Sequence, residues 1–473
     1  MKNKKFTFCK SIRTKNTFKL VATLAIFGLS NDVTAQKIAG GTNHSLALCN
    51  DGTVNAWGLG TNGQLGNGNN ITNNNAPIPV LSLTGITDIQ GGVHFSLALK
   101  NNGTVWAWGK NIDGQLGNGN NTDTNVPVQV SSLTGVIAIA AGFYHSLALK
   151  SDGSVWTWGE NDFGQLGNGT LISSNIPVQI SGVSTAIAIA VGSGHSLIVK
   201  SNGTVWALGR NFSGQLGNGT TNISQVLVPV SNLTGVIAIA AGAEYSLGLK
   251  NDGTVWAWGN NNYGQHGNGI TGTASNVPLQ ANGITGITAI AAGWYQSVAL
   301  KNDGTVLTWG RNDYGQLGNG TLTNSNLPVQ VSALTGVSAI EAGWSHCLTL
   351  KSDGSVKAWG RNDYGQLGIG TYTNSSVPVQ VAGLCSNSTG VEENLKTNIF
   401  SVYPNPSNDF ITIENKNDKL SSVYVIFNTI GQQVLTGKLI AESTTLDITQ
   451  LPSGFYFLQV GETDKKSFKL IKK

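Results

Sequence analysis

Histidine stands at four equivalent places in this 473-residue chain, His44, His145, His195 and His346. Imidazole is a common metal ligand, so four copies raise the question of a metal site. Phe95, Tyr245 and Gln296 hold the same place in the other repeats, and each imidazole fills its own local slot, one repeat from the next. No metal and no cofactor are expected. His94 and His266 stand alone, at no ligand spacing. The repeated Asp152, Asp252, Asp303 and Asp353 precede glycine and read as turn residues, not as paired acids. Gly63-Gln64-Leu65-Gly66-Asn67-Gly68 is rich in glycine, but it lacks the Lys-Ser/Thr ending and following helix of a phosphate-cradling loop. No nucleophile elbow, zincin motif or Ser/His/Asp set stands apart from the repeats. Glu160 and Glu244 are the two loop acids to test for acid–base chemistry. The chain reads as a binding protein and not an enzyme.

These residues sit on a repeat. A motif typified by Gly142-Phe143-Tyr144-His145-Ser146-Leu147-Ala148-Leu149 and Trp156-Thr157-Trp158-Gly159 returns with a period of 50 or 51. Its closing glycine is Gly58, Gly109, Gly159, Gly209, Gly259, Gly310 and Gly360. The Gly-Gln-Leu-Gly-Asn-Gly block follows at Gly63, Gly114, Gly164, Gly214, Gly264 (with His266 for Leu), Gly315 and Gly365 (with Ile369 for Asn). Each unit carries four candidate strands. In the third they are A, Val136 to Ala141; B, His145 to Lys150; C, Ser154 to Trp158; and D, Pro177 to Ile180. Asp152-Gly153 supplies the positive-φ positions of a tight hairpin, which pairs B with C antiparallel. A period near fifty with several strands per unit means a propeller or an array, and a ring of seven removes the exposed ends. Leu208 replaces Trp158 in repeat four. Asn55, Leu307 and Lys357 replace the outer Trp156 elsewhere. These changes read as local repacking.

On these three motifs, roughly Lys37 to Leu384 resembles the regulator-of-chromosome-condensation repeat family. The resemblance implies an all-β chain whose residues 36–385 form a seven-bladed β-propeller. The eponymous activity, nucleotide exchange on a small GTPase, fits poorly with the export signals below. A secreted family member that inhibits β-lactamases is similar in its short repeats and export, which favours a binding role without naming a target.

Blades one and seven must meet without a covalent link in the backbone. Cys49 stands where most repeats have Lys, and Cys385 follows strand D of the last blade. A Cys49–Cys385 bridge is expected to close the ring, constraining the unfolded chain by about 5 kcal/mol in the loop-entropy treatment. Cys49–Cys347 is the alternative. Cys347, in place of a repeated Ser, is expected to be buried.

Beyond Cys385, residues 386–397 read as a linker and 398–473 as a small β-sandwich. Val402-Tyr403-Pro404-Asn405-Pro406, Ile430-Gly431-Gln432-Gln433-Val434 and Leu451-Pro452-Ser453-Gly454-Phe455-Tyr456-Phe457-Leu458 carry a resemblance to the C-terminal sorting domain of type IX (Por) secretion cargo. It implies a Bacteroidota source and the type IX machinery as a partner. It also implies release outside the cell or retention on its surface.

The other terminus agrees with export. Residues 1–35 carry seven Lys/Arg, an apolar run from Leu20 to Leu29 and small residues at Val33-Thr34-Ala35, a signal-peptide pattern with Gln36 as mature start. Ten apolar residues are too few to span about 30 Å of hydrocarbon, so no transmembrane anchor is expected. The formal charge of +4 is misleading. Without residues 1–35, 21 basic residues face 23 acidic ones, which argues against a nucleic-acid footprint.

The two faces of the ring differ. The B–C turns repeat almost unchanged, whereas the A–B and C–D loops vary. Those loops should place Phe143, Tyr144, Phe163, Phe212, Tyr263, Trp294, Tyr295, Tyr314, Trp344 and Tyr364 on one face as a ring of aromatics, with Arg311 and Arg361 nearby. Aromatics and arginine on a rigid scaffold suit recognition of an extracellular protein or glycan. One alternative is that the rings merely brace neighbouring loops. Others are a propeller-type glycan lyase or hydrolase, an inhibitor of a secreted enzyme, or an adhesin.

Overall fold

The computed structural model describes residues 34–70, 73–385, 400–415, 422–428, 432–439, 441–461 and 466–473. The expected signal peptide lies outside these residues except for Thr34 and Ala35, and the expected linker lies wholly outside them. Among the described residues all regular structure is β. The chain divides into two units after Ser386.

The first unit holds seven four-stranded antiparallel sheets, each paired in the order A-B-C-D. In the third, the strands are Val136–Ala141, His145–Lys150, Val155–Gly159 and Ser174–Gln179. Strands A and B fall where the pattern placed them. Strand D starts earlier than Pro177 because Ser174 pairs with Gly159 across a bulge. The B–C connection also differs from expectation. Only Gly153 has a positive φ (78°), and its N–H donates to the Lys150 carbonyl at 3.0 Å. Asp152 turns its carboxylate back instead, accepting from Ser154 N at 2.9 Å and Ser154 Oγ at 2.6 Å. This is a longer glycine-bulge loop, not a two-residue turn.

The inner strands A line a central channel. Both faces of each sheet are covered by neighbouring blades, so the hydrophobic clusters lie between blades. One joins Leu147, Leu149 and Val155 of blade three to Ile198 and Leu208 of blade four. The glycine block is part of this packing. A Cβ on Gly117 (φ 63°) would sit 2.7 Å from the fully buried Trp158 ring, whose Nε1–H donates to the Gln115 carbonyl at 2.8 Å. Where Leu208 replaces that tryptophan, it still fills the space beside Gly167.

The seam between blades seven and one repeats the same architecture. Ile38, Cys49 and Trp57 form one cluster with Leu348, Val356, Val381 and Cys385. Cys49 and Cys385 are disulfide-bonded, with Cα atoms 5.6 Å apart, and Cys347 is a buried free thiol. Strand A of blade one runs Ala35–Gly40. It therefore begins one residue before the expected mature start, with Ala35 paired to Cys49 and buried in the seam.

The second unit is a β-sandwich. One sheet is formed by Phe400–Tyr403, Phe410–Asn415 and Ser443–Asp447. The other is formed by Gln433–Leu439, Ser422–Asn428, Gly454–Val460 and Lys466–Lys472. Ile411, Ile413 and Leu446 of the first pack with Ile426, Leu439, Leu458 and Leu470 of the second.

Candidate functional site

The loops of the varied face are held by backbone bonds that the repeat supplies. In each blade, the residue after the closing glycine of strand C donates its N–H to the carbonyl just before strand B. The Tyr144 carbonyl accepts from Glu160, Glu244 from Asn260 and Tyr295 from Arg311, each at 2.9 Å. Between blades, Trp294 N donates to Trp344 O at 2.9 Å and Trp344 N to Gly41 O at 3.3 Å. Side chains on these loops therefore project from a fixed frame.

Most of the expected aromatics meet. Phe143 of blade three contacts Trp344 of blade seven, with centroids 5.4 Å apart. Trp344 meets Trp294 edge-on at 4.2 Å, Trp294 stacks on Tyr295 at 5.0 Å, and Tyr295 meets Tyr263 at 5.1 Å. Tyr144 joins through Phe143 at 6.4 Å. Phe163 and Phe212 form a separate edge-to-face pair at 5.8 Å. The expectation of a ring around the mouth is thus only partly met. The A–B loops are innermost, so Phe143, Trp294 and Trp344 reach over the channel instead. Nearly all these side chains are half-buried, and Phe212, at 61 % exposed, is the outlier.

Cations interleave with the rings. Arg311 lies over Tyr263, Trp294 and Tyr314 at 5.1, 5.4 and 5.8 Å, and Arg361 over Tyr314 and Tyr364 at 5.0 and 5.5 Å. Each arginine is tied by its Nε to an aspartate 2.7 Å away, Asp313 or Asp363. Arg210 of blade four, absent from the sequence-based set, reaches residues of both blade three and blade five. It lies over Phe163 and Phe212 at 5.4 and 5.5 Å, and its Nη2 pairs with Glu244 at 2.8 Å. Beside it, Glu160 is raised to about 7 by burial and by Asp162 and Asp113, against the pull of Arg210 and the Gln165 hydrogen bond.

Beneath the aromatic mouth lies a channel cavity of about 240 Å³. In blades three to six its wall strands carry Ala-Ile-Ala, as in Ala138-Ile139-Ala140 and Ala289-Ile290-Ala291. Blades seven, one and two break that pattern with Glu341, Lys37, Asp88 and Gln90. Lys37 and Asp88 pair at 2.9 Å. Burial and the nearby Asp88 raise Glu341 to about 8, with the Ala342 N–H and Lys37 opposing. Sequence inspection missed this polar arc, although the broken Ala-x-Ala repeat signals it.

Residues 7–233 and 134–399 match the model of the RCC1-like domain. The chain belongs to the RCC1-like domain family. Residues 401–473 match the secretion system C-terminal sorting domain, which places the protein among type IX cargo exported to the cell surface or beyond. Human WBSCR16 is similar in structure, with TM-score 0.64, 26% identity, and 70% of this chain and 93% of that one covered. Prp20p of Saccharomyces cerevisiae gives TM-score 0.61 at 21% identity over 78% of this chain and 90% of that one, a likeness of fold. In sequence, the probable E3 ubiquitin-protein ligase HERC6 of Homo sapiens is 46% identical over 81 residues, 17% of this chain and 8% of its own length. The ultraviolet-B receptor UVR8 of Arabidopsis thaliana is 37% identical over 93 residues, 19% of this chain and 21% of its own length. The chain thus spans about a tenth to a fifth of these two relatives.

In this RCC1-like propeller the repeated histidines join blades. His44, His145 and His195 place Nε2 at 2.9 to 3.0 Å from Ser96, Ser196 and Ser246 of the next blade. Each serine donates its own proton to a glutamine carbonyl, of Gln64, Gln165 or Gln215. The imidazole must therefore donate from Nε2, which leaves Nδ1 deprotonated and buried without a partner among the described residues. Burial holds these imidazoles down at about 3. They are neutral structural donors. Asn161 and its equivalents, unremarked in the sequence, are a second fixed element of the C–D loops. Asn161 Oδ1 accepts from Leu166 N, and its Nδ2 donates to the Thr170 and Ile172 carbonyls.

Proposed function

We propose that this exported RCC1-like propeller is a non-catalytic binding protein that recognises an extracellular protein or glycan through its A–B/C–D face. The observation that carries the reading is the run of ring contacts from Tyr144 through Phe143, Trp344 and Trp294 to Tyr295 and Tyr263, flanked by Arg210, Arg311 and Arg361. Aromatic and arginine side chains preset on a rigid frame lose little entropy on binding. The partner at the other end of the chain is the type IX machinery, through the sorting domain.

Glycan cleavage is a weaker reading. It would need two free carboxylates across the scissile bond. Glu160 and Glu244 do line one cavity. Glu244, however, accepts from Arg210, from Asn260 Nδ2 at 3.2 Å and from Ser213 Oγ at 3.3 Å, so its oxygens are already engaged.

The test is a screen of the exported chain against a glycan array and surface proteins, beside a Trp294→Ala/Tyr295→Ala/Trp344→Ala variant. Binding lost in a folded variant supports this face. Binding that survives the triple change moves the site elsewhere.

A further inference from the structure

Between blades three and six the face dips into a cavity of about 280 Å³, walled by Tyr144, Phe163, Trp294 and Tyr295. Its two carboxylates are unequally engaged. Glu244 has acceptors on both oxygens occupied by Arg210, Asn260 and Ser213. Glu160 accepts one bond, on Oε2 from Gln165 Nε2 at 3.2 Å, and its Oε1 takes no hydrogen bond from any described residue. The surrounding charge is acidic, with Asp113, Glu160, Asp162 and Glu244 against Lys110, Arg210 and Arg311, the last paired with Asp313. All three cations already rest on aromatic faces, Lys110 over Tyr144 at 5.3 Å, Arg210 over Phe163 at 5.4 Å and Arg311 over Trp294 at 5.4 Å.

Resting on the reading of this face as the recognition surface, we propose that the cavity takes the cationic side chain of a lysine or arginine presented by a partner protein. An apolar stem would lie along the rings, and the head group would meet the free oxygen of Glu160 within reach of aromatic faces. A neutral sugar would bring no charge to the free oxygen of Glu160. An acidic sugar would meet like charge.

The occupant should be coupled to protonation. Burial raises Glu160 to about 7, and the groups facing it are Asp162, Asp113, Arg210, Gln165 and Tyr144, the last itself raised by burial and by Glu160. A cation binds the ionised carboxylate, so affinity is present above pH 7 and declines as pH falls through it.

The experiment titrates the full-length chain with Nα-acetyl-lysine N-methylamide and, as control, the uncharged norleucine analogue, following tryptophan fluorescence. The expected result is saturable binding of the lysine probe, at least roughly tenfold tighter than norleucine. Between pH 8 and pH 6 the lysine affinity should drop roughly tenfold, following the ionised fraction. Glu160→Gln should weaken binding to the norleucine level and abolish the pH dependence. Phe163→Leu, which keeps the carboxylate, should weaken binding on its own, so the proposal does not hang on one variant folding. Equal binding of the two probes, or a lysine response unchanged in E160Q, overturns it. A partner protein that is lost by the triple aromatic variant yet held equally by E160Q would keep the recognition face and reject the cationic occupant. A partner held by both variants would reject the face as well.

Discussion

His346 of the last blade lies 2.9 Å from Ser45 of the first, and Ser45 passes its own proton to the Gln366 carbonyl at 2.8 Å. The interface that closes the ring thus uses the same His–Ser–carbonyl relay as interfaces made by consecutive blades.

Ser45→Ala removes an acceptor for His346 and a donor for Gln366, both buried. The expected cost is about 1–3 kcal/mol. Ser146 makes one such bond, to Gln115, because blade two offers Phe95 in place of histidine. Ser146→Ala should therefore cost less, and urea unfolding midpoints of the two variants check the order.

Cys49→Ser/Cys385→Ser should lower stability by up to about 5 kcal/mol, because a crosslink spanning 336 residues restricts the unfolded chain strongly. Non-reducing peptide mapping should recover Cys49 joined to Cys385. Burial pushes the Cys347 thiol up to about 12, so it should resist iodoacetamide until the protein unfolds.

Stability should rise with pH from about 3 to 6.5. Burial lowers His44, His145, His195 and His346 to about 3, so through that window the unfolded chain binds protons that the folded chain does not. Glu160 and Glu341 act in the opposite sense. Their folded values of about 7 and 8 exceed the ordinary 4.5, so their contribution is full below pH 4.5 and is lost as pH climbs toward 8. Urea midpoints measured from pH 4 to 8 should peak between pH 6 and 7. His145→Gln, which places in blade three the residue that blade six has at Gln296, should flatten the acid limb.

Gly117→Ala should be harmful twice over. The new Cβ would lie 2.7 Å from the Trp158 ring, and φ is 63°. A loss of about 1–3 kcal/mol is expected. Gly169, also at positive φ but with nothing within 4 Å, should lose less when changed to Ala, and thermal unfolding of the two compares strain alone with strain plus clash.

Much of the architecture was legible because it repeats. Seven returns of the strand-C closing glycine and of the glycine block fix blade number, and in blade three strands A and B run where the motif placed them. The hairpin loop was not legible to the same degree. Asp152-Gly153 announces a positive φ, but the loop's length depends on Lys150 pairing across to Ser154. In the site, a repeat pattern places residues on a face by analogy with their neighbours and carries no distance across the ring. That is why the meeting of Phe143 with Trp344 was missed. Arg210 was overlooked, although Arg311 and Arg361 hold the same repeat position, because its pairing with Glu244 of the next blade is not written in its own repeat.

The seam also sets an order of assembly. Six of the seven contacts between neighbouring blades join consecutive stretches of chain, whereas the seventh brings the strand Ala35–Gly40 to a blade whose outer strand is Ser375–Gln380. A chain delivered N-terminus first must therefore carry Ile38 and Trp57 uncovered until nearly every blade has arrived. Cys385 lies beyond the last of these strands and just ahead of the sorting domain, so the staple is fastened only when the export tag is next in line. The bond that closes the ring thus ties the first blade to the stretch of polypeptide that leads into the sorting domain.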